Sequence, residues 1–357
     1  MALQKDSEVF LNQLVHKGFN TYYVSNQGGG KGGGTFTRNP APLFSPYSWK
    51  YTDARSYLYK LSEFLSHEDS ERINIQYEHP DLKDIISAAT STTQRAGIQL
   101  VKSKAHGPVH RHTPNSFRVV LEAPEEGAIS RIDGVNLEMH PGDVIGNTNW
   151  IWHEHFNHGT SDLIWTSFLD AILVKWIGGV FYDPPKTFNG DVNFPDISQE
   201  EYVSVLGRST LPEELGTNPN TPLQFYRFSD ACKSVSALSK LKRGKERVAV
   251  EYKNPTTGGS ISANQSLKLN LIPGGCLTPM TRKTENIIFL NFSGETTLEL
   301  GNGEGEFVLG KYDVAVLPSW TSHRVVNNSY SDEALYFTAS DAPLFKNCGL
   351  YREEIVG

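Results

Sequence analysis

Two spacings of apolar residues divide the chain. Near the start they recur at helical intervals: Val9, Phe10, Leu14 and Val15 predict an amphipathic helix over 7–18, capped by Ser7. The aromatic stretch Tyr47-Ser48-Trp49-Lys50-Tyr51 precedes a second predicted helix over 53–66, with Thr52 or Asp53 as cap, and a strand is expected at 73–77. From Arg95 the period falls to two, as Gly97-Ile98-Gln99-Leu100-Val101 shows. Strands over 117–122 and 128–132 follow, then an Asp133-Gly134 turn, and Pro141-Gly142-Asp143 starts another strand. Residues 183–246, rich in Pro, Asn and Ser, lose the alternation and hold helix-like pieces at 198–205 and 229–241. It returns after 247, punctuated by Gly258-Gly259, Gly274-Gly275 and Gly301-Asn302-Gly303, the turn spacing of a barrel or sandwich. The expected organisation is an N-terminal arm (1–94), a first β-barrel (95–182), a connector (183–246) and a second barrel (247–357).

The second block reads as a copy of the first. With Gly294 placed on Gly127 and His323 on His153, Thr281-Arg282-Lys283 falls opposite His110-Arg111-His112, and Gly310-Lys311-Tyr312-Asp313 opposite Pro141-Gly142-Asp143. The asparagine four residues after the histidine recurs too, as Asn157 and Asn327. Repetition of a β block implies two similar folds in one chain. The first copy keeps its histidines, whereas His323 stands alone and reads as structural.

That contrast directs attention to His110-Arg111-His112 and Trp152-His153-Glu154-His155. On a strand His110 and His112 share a face, and the intervening hairpin can bring His153 beside them. Three neutral imidazoles without a thiolate suit Fe(II), Zn, Ni or Cu(II) and leave positions open for water, substrate or O2. Parity points His155 inward as well. It also puts Arg118 on the ligand face, where a guanidinium needs an anion: a substrate carboxylate or an internal partner such as Glu122. His106, His140 and His158 read as surface or turn histidines.

Composition narrows the class. With 33 basic and 40 acidic residues the formal net charge is -7, and no basic block suggests nucleic acid. Cys232, Cys276 and Cys348 form neither a disulfide framework nor a zinc motif, which fits a reducing compartment. Residues 1–6 lack an apolar signal core, and the most apolar stretch, 163–182, is broken by Asp170 and Lys175. A cytoplasmic protein with no membrane contact is expected. The glycine run 26–34 lacks the Gly-Lys-Ser/Thr of a phosphate loop and reads as a linker.

In order, Ala96-Gly97-Ile98-Gln99-Leu100, His110-Arg111-His112-Thr113, Phe117-Arg118-Val119-Val120, Asp133-Gly134, Pro141-Gly142-Asp143 and Trp152-His153-Glu154-His155 resemble the two cupin motifs of the gentisate 1,2-dioxygenase family, which includes salicylate and 1-hydroxy-2-naphthoate dioxygenases. Trp49 to Leu61, Asp341-Ala342-Pro343 and Leu350 to Glu354 extend the likeness over most of the chain. The resemblance implies a mainly β bicupin, two double-stranded β-helix (jelly-roll) barrels with N-terminal and connecting helices. It implies Fe(II) on His110, His112 and His153 of the first barrel, a metal-free second barrel and a homo-oligomer. Gln99 matches a position lining the family's site. Two departures bear on substrate: Arg95 stands where the family often has an aromatic residue, and Ser167-Phe168-Leu169-Asp170 keeps only the second Asp of Leu-Asp-Gly-Leu-Asp. Arg95, Ser167 and Asp170 join Gln99 and Arg118 as candidate substrate contacts.

The implied chemistry is ring cleavage of an aromatic ortho-hydroxycarboxylate by O2, between the hydroxyl- and carboxylate-bearing carbons. Arg118 holds the carboxylate, and His155 handles a proton or supports a ligand from behind. The alternatives are another metal-dependent bicupin, such as a decarboxylase or a diketone or flavonol dioxygenase, and a non-catalytic small-molecule-binding cupin.

Overall fold

The computed structural model describes residues 5–19, 38–65, 73–183, 198, 200–201 and 225–356. The glycine run and nearly all of the helix predicted over 198–205 lie outside them. Helix α1 (Lys5–His16) starts before Ser7 and leaves Val9, Phe10 and Val15 exposed. Strand β1 (Tyr47–Trp49) leads into α2 (Tyr51–Leu61), then β2 (Ile73–Gln76). The first β block holds β3 (Arg95–Val101), β4 (His106–His112), β5 (Ser116–Glu122), β6 (Ala128–Ile132), β7 (Val135–Glu138), β8 (Val144–Asn147), β9 (His153–Asn157) and β10 (Leu163–Leu169), then α3 (Ala171–Trp176) and β11 (Tyr182–Asp183). After the connector come β12 (Phe225–Tyr226) and α4 (Phe228–Leu241). The second block runs β13 (Val248–Glu251), β14 (Ser266–Ile272), β15 (Thr281–Lys283), β16 (Ile287–Ser293), β17 (Thr296–Leu300), β18 (Glu306–Leu309), β19 (Val314–Leu317), β20 (His323–Val326), β21 (Ala334–Ser340), α5 (Ala342–Asn347) and β22 (Glu353–Ile355).

These strands make four antiparallel sheets, consistent with the bicupin expectation. The first half has a six-stranded sheet, β12-β8-β5-β10-β3-β2, facing a five-stranded one, β11-β4-β9-β6-β7. The second half repeats the plan with β1-β19-β16-β21-β14-β13 and β18-β17-β20-β15-β22. Alternation sets two destinations for each large-sheet strand. On β5, Phe117, Val119 and Leu121 join a core that runs between the two large sheets and includes Leu269 and Leu290, while Val120 faces the interior of its own half. Among the described residues, no helix is long and apolar enough to cross a membrane.

The halves exchange their leading strands. Although β1 precedes the first block, it pairs with β19 of the second, and β12, which precedes the second block, pairs with β8 of the first. Each exchanged strand runs into a helix whose start is held by a carboxylate of the other half. Thus Asp313 accepts Tyr51 N–H at 2.8 Å and Lys50 Nζ at 2.7 Å, and Asp143 accepts Phe228 N–H at 2.9 Å and an Arg227 guanidinium N–H at 2.6 Å. The predicted cap of α2 is corrected accordingly. Lys50 occupies the N-cap position but makes no side-chain capping bond to the helix, and the orphan N–H of Tyr51 finds its acceptor 262 residues away.

Candidate metal centre

β4 and β9 lie side by side with His110 opposite His153. His112 leaves β4 on the same face as His110, and the three ring centroids stand 4.2 Å (His110–His153), 4.9 Å (His112–His153) and 5.8 Å (His110–His112) apart. Their tautomers are set by the backbone. Nδ1 of His110 donates to Pro108 O at 2.9 Å, that of His112 to Pro114 O at 2.7 Å and that of His153 to Ile151 O at 2.9 Å. A carbonyl can only accept, so each Nδ1 carries the proton and each Nε2 keeps a lone pair. One ring nitrogen from each lies within 4.8 Å of the others, and among the described residues this is the one group of three or more His, Cys, Asp or Glu so arranged. Burial, then the neighbouring His110 and His112 and the Arg118 guanidinium, holds His153 well below its usual range and therefore neutral. Three neutral nitrogen donors converging on one point fit a first-row divalent ion.

Beyond the imidazoles lies a polar floor. Arg118 is 1% exposed, with its guanidinium carbon 5.4 Å from the Trp165 ring centre. His155 is fully buried, its ring 5.8 Å from His153 and 5.1 Å from Trp165. The Trp165 indole donates to Gln99 Oε1 at 2.6 Å, which turns the amide NH2 away as a donor. Ser167 is paired across the sheet with both Arg118 and Gly97, and its buried hydroxyl finds no hydrogen-bond partner among the described residues. Arg95 begins β3 on this face, half-buried, and burial pulls its guanidinium below the ordinary range. Glu122, the alternative partner for Arg118, is held instead by Arg55 at 3.0 Å and by the Tyr51 hydroxyl at 2.6 Å.

Asp170 is held by partners outside this group. Its buried carboxylate accepts Asn115 N–H and Asn115 Nδ2 at 2.8 Å each, and Asn264 Nδ2 at 2.9 Å, so most of its acceptor capacity goes to the chain's own turns. Asp341 does the same in the second half, accepting Asn286 N–H and Nδ2 at 2.7 Å each and Thr93 Oγ1 at 2.6 Å. A role repeated where there are no three imidazoles is structural.

Trp165, Ser130 and Asn147 were not singled out in the sequence. Ser130 is paired across from His155, and the fully buried Asn147, opposite Ser116, has no partner for either amide atom among the described residues. Inward parity within β6, β8 and β10 is the signal that finds them. Register places Leu298, Leu317 and Tyr336 at the equivalent positions of the second half. Thr281, Lys283 and His323 likewise occupy the places of His110, His112 and His153, and Phe289 that of Arg118.

No family model matches the chain. It is 29% identical over 317 residues to a 1-hydroxy-2-naphthoate 1,2-dioxygenase of Nocardioides sp. (strain KP7), covering 88% of this chain and 80% of that protein. It is 25% identical to gentisate 1,2 dioxygenase 1 of Aquipseudomonas alcaligenes, covering 89% of each. Over nearly nine tenths of its length the chain is similar to the gentisate, 5-aminosalicylate and 1-hydroxy-2-naphthoate dioxygenases, the gentisate dioxygenase family. The fold agrees: a salicylate 1,2-dioxygenase of Pseudaminobacter salicylatoxidans superposes with a TM-score of 0.85 at 22% identity, over 99% of both chains. Against the gentisate dioxygenase pattern, the two departures Arg95 and Ser167 both sit on inward-facing positions of the first half, β3 and β10.

Proposed function

We propose that the chain is an Fe(II)-dependent dioxygenase that opens an aromatic ortho-hydroxycarboxylate with O2, between the hydroxyl- and carboxylate-bearing carbons. The observation that carries this reading is a buried guanidinium, Arg118, in the same interior as three neutral, convergent imidazoles. Relatives named for gentisate, 5-aminosalicylate and 1-hydroxy-2-naphthoate share that substrate chemistry.

His110, His112 and His153 would hold the iron, which supplies open positions and the one-electron chemistry that O2 needs to react with a closed-shell ring. Arg118 binds the substrate carboxylate through its planar fork and thereby sets which ring carbons face the metal. His155, one strand step from His153, exchanges a proton with the substrate hydroxyl. Gln99, locked by Trp165, offers its NH2 to a substrate oxygen. Burial keeps water away, so each of these contacts counts for more than it would at the surface. Arg95 and Ser167 add polarity and favour a substituted or larger hydroxyaryl acid over gentisate itself.

A reducing, cytoplasmic setting is supported by three cysteines that form no disulfide. A homo-oligomer is supported by the exposed Trp176, Ile177, Val180 and Phe181 beside β11. The test is anaerobic Fe(II) loading followed by oxygen-electrode assays with gentisate, salicylate, 5-aminosalicylate and 1-hydroxy-2-naphthoate. Uptake of one O2 per ring opened supports the reading. Loaded protein that consumes no O2 with any hydroxyaryl acid rejects it.

A further inference from the structure

The second half has lost two of the three imidazoles but not its interior space. A cavity of about 370 Å³ lies against Thr281, Lys283 and His323, within the range of small-molecule sites. Its apolar wall includes Phe289 and Tyr336, whose ring centres are 6.1 Å apart, with Ile287 and Val325. Replacement of Arg118 by Phe289 and of His155 by Val325 makes this wall more apolar than its counterpart.

Charge remains, in other places. Lys268 stands on β14 at the position of Gly97, inward-facing like Asn270, because Leu267, Leu269 and Leu271 take the opposite face. Lys283 is neutralised by Glu353 at 3.1 Å and lies 3.8 Å from Glu285. Arg247 donates to a neutral partner, Asn270 Oδ1, at 2.6 Å, and Glu246 is paired with Lys242 at the surface at 3.2 Å. Lys268 makes no hydrogen bond or ion pair with any described residue; Glu285 and Glu251 reach it only at longer range, and burial pulls its ammonium below the ordinary range. With Glu246 set aside as neutralised by Lys242 from outside the cavity, Arg247, Lys268 and Lys283 against Glu285 and Glu353 leave one positive charge. A largely buried ammonium without a counter-ion costs free energy that a bound anion would recover.

We propose that this cavity binds a small organic monocarboxylate with a ring-sized apolar body, its carboxylate on Lys268 near Arg247 and its body against Phe289 and Tyr336. One net charge matches a monoanion better than phosphate, and the aromatic wall gives the rest of the ligand a surface that an inorganic anion could not use. The site is independent of the three imidazoles and does not rest on the dioxygenase reading.

The test is fluorine NMR of 4-fluorobenzoate with the metal-free full-length chain. The expected result is a bound population whose dissociation constant rises at least tenfold in Lys268→Met, persists in Lys268→Arg and is unmoved by Arg118→Met, which reports on the first half alone. Should Lys268→Met not fold, Phe289→Trp, which fills the cavity from the wall, removes the same population. Displacement by benzoate is expected at concentrations where inorganic phosphate has no effect, and competition by hexanoate tells an aliphatic from an aromatic body. Binding unchanged in both Lys268→Met and Phe289→Trp overturns the proposal, as does displacement by phosphate but not by benzoate.

Discussion

Arg118 lies over the face of Trp165, its guanidinium carbon 5.4 Å from the ring centre. A cation against a ring that itself holds Gln99 is fixed in direction as well as place. Arg118→Lys keeps the charge but loses the planar fork. The expected outcome is a KM raised about 10- to 100-fold with iron content unchanged, measured by steady-state kinetics and metal analysis. Normal turnover, or loss of iron, would remove Arg118 from the carboxylate-binding role.

His153 and His155 are both buried on one face of β9, and the proposal separates them by function. His153→Ala is expected to abolish metal binding. His155→Ala is expected to keep the metal and lose turnover by roughly 10²- to 10⁴-fold, the range for a general acid or base. Iron measured on both purified variants decides; an iron-free His155→Ala beside an iron-loaded His153→Ala reverses the roles.

His323 predicts how the second half responds to acid. Burial is the chief cause holding its pKa down to about 4, against 6.5 in the open chain. The unfolded chain therefore takes up the proton first as pH falls. The stability linked to this neutral histidine is whole above 6.5 and is lost as pH drops towards 4. Replacing it in His323→Gln should shrink the difference in unfolding free energy between neutral pH and pH 4.5 by about 2–3 kcal/mol, read from urea titrations. Identical pH profiles for the two proteins would show that His323 is not held neutral. His323→Ala should still bind about one metal ion per chain, since Thr281 and Lys283 cannot replace two imidazoles.

Asp170 and Asp341 are predicted to behave alike. Asp170→Asn turns an amide NH2 or a weaker acceptor towards Asn115 and Asn264, and Asp341→Asn does so towards Asn286 and Thr93. Each should lower stability by about 1–3 kcal/mol, and Asp170→Asn should leave KM within twofold of the parent. A large KM change with unaltered stability would return Asp170 to the substrate site.

Much of this site is written in local spacing. Two histidines one residue apart on a strand share a face whatever surrounds them, so His110 and His112 were readable as a pair, and the paired repeat singled out His153 over His155 through Asn157 and Asn327. Those asparagines hold equivalent turns: Asn157 Nδ2 donates to Val101 O and Ser161 O, and Asn327 Nδ2 to Ile272 O and Asp332 O. The burial of Arg118 fits an inward direction, although parity cannot be counted through the turn at 113–115 that separates β4 from β5. Its inward direction follows from β5 alone, where Phe117 and Val119 go to the opposite face.

What alternation cannot encode is which distant element completes a group. A sequence states that Asp143, Asp170 and Asp313 carry charges; only the folded chain brings Phe228, Asn115 and Tyr51 to them. Local spacing therefore places the cap next to its helix, at Thr52 or Asp53, where the acceptor belongs to the other half, and it places Asp170 in the pocket without showing the three donors that its carboxylate meets in the turns. The same limit hid the exchange of β1 and β12, since an edge strand of two or three residues shows too few positions to reveal its partner. Residue identity and period determined the faces and the cluster of histidines. Tertiary structure decided the partners, because a hydrogen bond or an ion pair depends on distance in space and not along the chain.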